Sequence, residues 1–435
     1  MLRSAVTDQY EKIGSTAEVE QRLFAKIAWR FVPILTLGFL LNHLDRNNIG
    51  FAALQMNQRI GLTATQFGIG AGILFLGYCF FELPSNLLLY RVGARVWLSR
   101  IMITWGLASA AMIFVTGAKS WYVLRFALGA AEAGFFPGVA FYLSSWFPKE
   151  YRTRILAWFL VAIPASSVFG GPLSGIFLGM DGVGGLAGWK WLFLLEGLPT
   201  ILLGIIFPWV LTNRPVEARW LTAEEQRVVV ERIQSEKRDR EMRHLLPALR
   251  DARVLLLSGI FFGFTVGSYG LGIWLPQIVK EQQIPDLTVG FITAGCYVVA
   301  CIGMVAWAAY VDRKGNRIRN LLWTCLASAA GLVFAIFFQN FWLSLAWITV
   351  GLVGINAARS VFWVIPTRFL TGIAAAGGLA FINAVGTAGG FLGPSIMGWL
   401  KDLTGSFNAG LVAMAGFLLL ATALTGALKS FVREE

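Results

Sequence analysis

Twelve apolar stretches of roughly twenty residues, separated by polar turns, run the length of this chain and leave it little choice of fold. A helix rising 1.5 Å per residue needs about 20 apolar residues to cross a ~30 Å hydrocarbon core, and in that core it satisfies its own backbone polar groups. The stretches fall at 31–51, 66–90, 97–117, 121–143, 153–178, 189–211, 254–278, 287–311, 319–338, 341–366, 373–398 and 407–428. Only 14% of the chain is charged and 57% is apolar. An ordinary globular domain is about 25% charged, and a water-facing surface cannot be built from so few charges. The expected fold class is an all-α membrane protein with twelve transmembrane helices.

The net charge of +12 raises the question of a nucleic-acid partner, which the placement of the 36 Lys and Arg residues answers. With both termini cytoplasmic, 28 of them lie on the cytoplasmic side and 5 on the other, while Arg46, Arg125 and Arg359 fall within spans. That asymmetry is the positive-inside signature of a multi-pass protein of the cytoplasmic (inner) membrane, so no nucleic acid is expected. Cys79, Cys296, Cys301 and Cys325 lack metal-ligand spacing and read as small core residues. The first 30 residues mix acids and bases and show no cleavage site, which predicts a retained cytoplasmic segment. Trp29, Trp97, Trp121, Trp146, Trp189, Trp209, Trp342 and Trp399 lie near span ends, where an aromatic belt is expected.

A polar segment at 213–253 divides six spans from six, and Thr222 to Arg243 reads as a charged, solvated helix. The predicted organisation is a cytoplasmic segment 1–30, a six-helix bundle 31–212, a cytoplasmic linker 213–253, a second six-helix bundle 254–428 and a tail 429–435. The halves echo each other: Tyr90–Arg95 (YRVGAR) matches Asp312–Arg317 (DRKGNR), and Phe169–Pro172 (FGGP) matches Phe391–Pro394 (FLGP), both at an offset of 222 residues. Two matches at one offset argue for a parallel duplication. Gly93 and Gly315 are expected to permit positive φ in tight cytoplasmic turns, and the Gly-Pro pairs to serve packing or hinging.

Charges kept within spans cost about 2.5–3.5 kcal/mol each near the bilayer centre and are functional candidates by default. In the first half they are Asp45, Arg46, Glu82, Arg125, Glu132 and Glu196. Arg125 and Glu132 are seven residues apart on one helical face, so both can line a single cavity. Asp45, Arg46, Arg125 and Glu132 together sum to zero charge. An entering carboxylate upsets that balance unless an acid takes up a proton, which is the elementary logic of proton–anion symport. The bland alternative is a set of buried ion pairs that pin helices together. Glu82 and Glu196 favour structural roles, and His43 points elsewhere around the helix from Asp45. In the second half, Asn356, Arg359, Ser360 and Trp363 follow at i, i+3, i+4 and i+7 and form a half-site for a carboxylated ligand. Arg359 has a second reading, snorkelling to the cytoplasmic surface. Asn383 donates either to a ligand or to a facing helix, and Tyr78 and Tyr269 offer hydroxyls where packing is the commoner role.

LNHLDRNNIGFAAL, GYCFFELPSNLLLYRVGARVWLSRIMITWG, RFALGAAEAGFFPGVAFYLSSWFP, GWKWLFLLEGLPT, FWVIPTRF and GFLGPSIMGWLKDLTGSFNAGL resemble the anion:cation symporter family of the major facilitator superfamily, over residues from about 30 to 425. Within it the chain is most similar to bacterial tartrate, phthalate and sugar-acid permeases. The resemblance implies the major facilitator fold and proton-driven uptake of organic carboxylates by alternating access between two bundles. By motif it implies Asp45 and Glu132 as the protonatable pair, with Arg46 and Arg125 organising the site. Tyr78 and Arg125 would face the anion, and Ser360, Trp363 and Asn383 would contribute from the other half. The chain departs at Tyr90, where an acid is common, although Asp312 keeps it in the second half. Arg359 is an addition that would tune the cargo toward dicarboxylates.

The expected function is thus uptake of a small organic anion with protons as the coupling ion, by a lipid-embedded monomer with no cofactor and no metal. Export or uniport of similar anions, and a non-transporting sensor of the same fold, are the alternatives. With two histidines, His43 and His244, and no Ser-His-Asp grouping, an enzyme is not expected.

Overall fold

The computed structural model describes residues 2–238, 251–366 and 372–431, and among these every regular element is helical. Twelve helices are long and apolar enough to cross a membrane. They are α1 (Leu2–Ile60), α2 (Ala64–Val92), α3 (Ala94–Ala110, carried on to Phe114 by a 3₁₀ turn), α4 (Ala118–Ser144), α5 (Lys149–Leu178), α6 (Gly188–Val210), α7 (Ala252–Lys280), α8 (Asp286–Lys314), α9 (Arg317–Phe337), α10 (Phe341–Phe362), α11 (Gly372–Thr404) and α12 (Asn408–Leu428). Each predicted span falls on one of them, and α1 reaches far beyond its predicted start. His244 and Arg368 lie outside the described residues.

Two elements depart from their predicted form. Span four breaks into Ala118–Glu132 and Phe135–Ser144, because Gly134 takes φ 88°, and a side chain there would also collide with Ser85 Oγ. The break falls immediately after Glu132. The linker helix, Ala223–Arg238, is docked rather than simply solvated: Val229 is buried, Lys26 pairs with Glu225 at 2.9 Å and Arg232 with Glu20 at 2.7 Å. A capping box between Thr222 and Glu225 starts that helix. The aromatic belt needs correction as well. Trp29, Trp209, Trp342 and Trp399 are exposed, whereas Trp121, Trp146 and Trp189 are buried. The indole N–H of Trp121 donates to the Phe67 carbonyl and that of Trp146 to the Thr212 carbonyl, so both lock helix ends from inside.

Packing follows the duplication read from the repeats. α3 lies on α6 as α9 lies on α12, α1 on α5 as α7 on α11, and α2 on α4 as α8 on α10. The two six-helix groups meet along α1–α7 and along α2–α11 and α5–α8, the last two exchanged by the same internal repeat. Gly93 (φ 96°) and Gly315 (φ 69°) occupy equivalent turns, as their spacing predicts. These turns lie at the same end of the molecule as the linker, here termed the linker end; the other is the distal end.

The seams are closed at the distal end. Gln55 donates to Asp286 at 2.9 Å, and Asp402 accepts from the first backbone N–H groups of α2, Ala64 at 3.0 Å and Thr65 at 2.7 Å. Glycines bring backbones into contact: a Cβ on Gly68 would lie 2.3 Å from the Pro394 carbonyl oxygen, and one on Gly171 2.3 Å from that of Gly290. Beside them, the Asp181 carboxylate in the α5–α6 turn accepts from Gly188 N–H and pairs with Arg59 at 2.6 Å, contacts that hold it below the usual carboxylate range. These hydrogen bonds between the two groups lie at the distal end. The structure is therefore closed distally, and the Arg46 side chain, which faces the seam and keeps 13% exposure, puts the parted side toward the linker.

Candidate functional site

Arg46 of α1, Glu132 of α4 and Tyr78 of α2 come together at mid-depth on the inner faces of the first bundle. Arg46 is ion-paired with Glu132, its side chain still 13% exposed while that of Glu132 is 1% exposed. The guanidinium lies 4.9 Å from the Tyr78 ring centroid and 6.0 Å from that of Phe75. Phe75 in turn packs at 4.4 Å on Tyr269 of α7, so the pair sits where the two bundles meet. Only one carboxylate oxygen of Glu132 is used; Oε2 is buried without a hydrogen-bond partner. A planar cation sandwiched between an acid and an aromatic face is poised to exchange the acid for another carboxylate.

Asp45 does not join this group. Successive helical residues point about 100° apart, and Asp45 turns toward α3, where Trp105 Nε1–H donates at 2.5 Å and Ser109 Oγ–H at 2.7 Å. It is 1% exposed, sealed inside the first bundle. The protonatable pair expected in one chamber thus occupies two separate environments. Trp105 and Ser109 escaped the reading of the sequence, although their i, i+4 spacing on one face of a span was the available signal.

Arg125 is fully buried between α4 and α2. Its Nε and Nη2 reach the carbonyls of Gly70 and Ala71 at 3.4 and 3.3 Å, and Nη1 has no partner. Among the described residues no acid forms an ion pair with it. In this conformation it does not face the parted seam, and Glu132, two turns away, and Asp45 balance its charge at a distance without touching it.

On the second bundle, Arg359 Nη2 donates at 2.7 Å to Ser268 Oγ in the middle of α7. Its guanidinium therefore points into the membrane interior and not to the surface. Both Arg46 and Arg359 act electrostatically on His43, whose Nδ1 lies 3.2 Å from the Phe39 carbonyl oxygen. The rest of the predicted half-site is less engaged. Asn356 and Ser360 bond their own helix, to Leu352 and Ala357, while Trp363 stands just past the end of α10 against Phe261 at 5.0 Å. Asn383 is half-buried on α11. Ser268 is a contributor that sequence reasoning missed. Among the described residues no His, Cys, Asp and Glu group could hold a metal ion.

Comparison with known proteins agrees with this architecture. The sequence profile described as Major Facilitator Superfamily matches residues 35–394. A protein of Agrobacterium vitis named "Putative tartrate transporter" is 48% identical over 412 residues, covering 94% of this chain and 92% of that one. A protein of Acinetobacter baumannii named "Quinolone resistance transporter" is 38% identical, covering 94% and 95%. Among solved structures, a bacterial homologue of the human lysosomal transporter Spinster superposes with a TM-score of 0.76 at 16% identity, covering 92% of this chain and 96% of that one, which bears on the fold alone. This chain is a multi-pass membrane transport protein and belongs to the major facilitator superfamily.

Proposed function

We propose that the protein imports a small organic anion across the inner membrane together with protons, and that a hydroxy-dicarboxylate such as tartrate is the cargo class. The observation that carries this reading is the Arg46–Glu132 ion pair at the head of the parted seam, with one carboxylate oxygen left unpartnered. With Glu132 ionised, Arg46 is neutralised and offers little to an anion. A proton on Glu132 releases the guanidinium, and a carboxylate from the cargo takes its place at no net change of buried charge. Arg359, held on the second bundle by a hydroxyl and ion-paired to no acid among the described residues, suits a second carboxylate. A dicarboxylate bridging the two cations would draw the bundles together over it. The linker end is the cytoplasmic one by the distribution of bases, so the conformation described is inward-facing. The name of the Agrobacterium vitis relative supports the cargo class.

The test is transport in proteoliposomes with an imposed pH gradient, acid outside. Glu132→Gln is expected to lose uphill accumulation while keeping exchange of labelled for unlabelled cargo; normal uphill uptake by this variant removes Glu132 from the coupling role. One observation favours a second reading, export, namely the relative named for quinolone resistance. Efflux of an aromatic carboxylate from loaded vesicles, with no uptake of dicarboxylates, would select it.

A further inference from the structure

We propose that Glu196 of α6 is a second proton-binding site, protonated in the conformation described and loaded from the distal side through a polar cavity between α1, α5, α7 and α8. The inference rests on the proton-coupled reading above and adds a site to it.

Glu196 is 4% exposed. Its Oε2 accepts from Asn48 Nδ2 at 2.7 Å, while Oε1 is buried with no hydrogen-bond partner. The Ser174 hydroxyl of α5 acts on the same carboxyl group and is itself buried and unpartnered. The charged group facing it is another acid, Asp45 of α1. From α3, Trp105 and Ser109 are spent on Asp45, and among the described residues no base forms an ion pair with either carboxylate. Arg125 acts electrostatically on Asp45, whereas no base acts on Glu196, so two buried acids within reach of each other share one cation and do not both ionise. Their surroundings decide which one keeps the proton. Asp45 receives a donor on each oxygen, which stabilises an anion. Glu196 has a donor at hydrogen-bond distance on one oxygen only, and the hydroxyl of Ser174, which acts on the same carboxyl group, can accept an O–H as well as donate one.

The cavity supplies the route. It has room for about one water molecule, ≈ 20 Å³, and it is lined by Asn48 and Ser174, the neighbours of Glu196, together with Ser166, Thr293 and Tyr297. Asn48 Oδ1 and Thr293 Oγ1 are further buried polar atoms without partners there. Its walls come from both bundles, and the α5–α8 glycine contacts at Gly171 and Gly175 close it on the distal side. Parting that seam would wet the cavity from the distal medium; closing it traps the proton on Glu196.

Infrared spectroscopy of the purified protein without cargo tests this directly. At neutral pH the wild type is expected to show a protonated-carboxyl C=O band that shifts in D₂O, is lost in Glu196→Gln and persists in Glu132→Gln. A band that Glu196→Gln leaves unchanged, or no such band in the wild type, overturns the proposal. Should Glu196→Gln fail to fold, Ser174→Ala keeps the carboxyl group and removes its hydroxyl neighbour; an unmoved band in that variant overturns the proposal equally. Normal uphill transport by Glu132→Gln would count against the coupling role of Glu132 and leave the infrared result standing, so the two failures are separable.

Discussion

Asp45 and Arg46 are neighbours in sequence and part company in space. Their place inside the first span was legible from the apolar run around them; the direction each faces was not, since it depends on how α1 is turned against α2, α3 and α4. The ion pair of Arg46 with Glu132 and the cage of Asp45 by Trp105 and Ser109 both follow from that rotation. Two expectations separate the roles. Arg46→Lys should weaken cargo binding at least tenfold, about 1.4 kcal/mol, because a point charge reproduces neither the planar fork nor the stacking on Tyr78. Arg125→Lys, out of reach of the seam, should weaken it less. Isothermal titration of both variants checks this, and the reverse order would make Arg125 the anion contact. Asp45→Asn loses two charge-assisted hydrogen bonds and should destabilise the fold by about 2 kcal/mol, read as a lower melting temperature in detergent.

Helices and their contacts carry the alternation. All twelve spans were legible because a membrane leaves helices no other way to satisfy their backbones, and the 222-residue offset pointed to the duplication that the packing of the two halves repeats. The break after Glu132 was written in Gly134 and Pro137 but masked by the apolar run around them. The docking of the linker helix was hidden because it depends on partners far away in sequence, Glu20 and Lys26. The distal seams close through glycines whose replacement must push helices apart. Gly171→Ala, set against the Gly290 carbonyl, is expected to favour the distally open state, so that a cysteine substituted for Asn47 reacts faster with a maleimide added from the distal side. Unchanged labelling would show that this contact does not hold the seam. The Asp181–Arg59 tie contributes at neutral pH and, since the folded-state carboxyl is held below its usual range, should be lost only as pH falls through that lowered value.

For the whole molecule, two bundles joined by a polar linker bring one acid–base pair and one opposing cation to a seam that is shut on one side. Charge placement predicts the topology, and a cysteine in the linker helix should resist an impermeant maleimide in intact cells while one at Asp181 reacts. The identity of the cargo was not legible, because it depends on the distance between Arg46 and Arg359 in a closed state that sequence spacing does not encode. Proton coupling through Glu132 is the central claim. Uptake of labelled tartrate by proteoliposomes, acid outside, measures it most directly: the wild type should concentrate the anion against its gradient and lose that ability on collapse of the pH gradient, and Glu132→Gln should only exchange it. Concentration by Glu132→Gln equal to that of the wild type would contradict the claim.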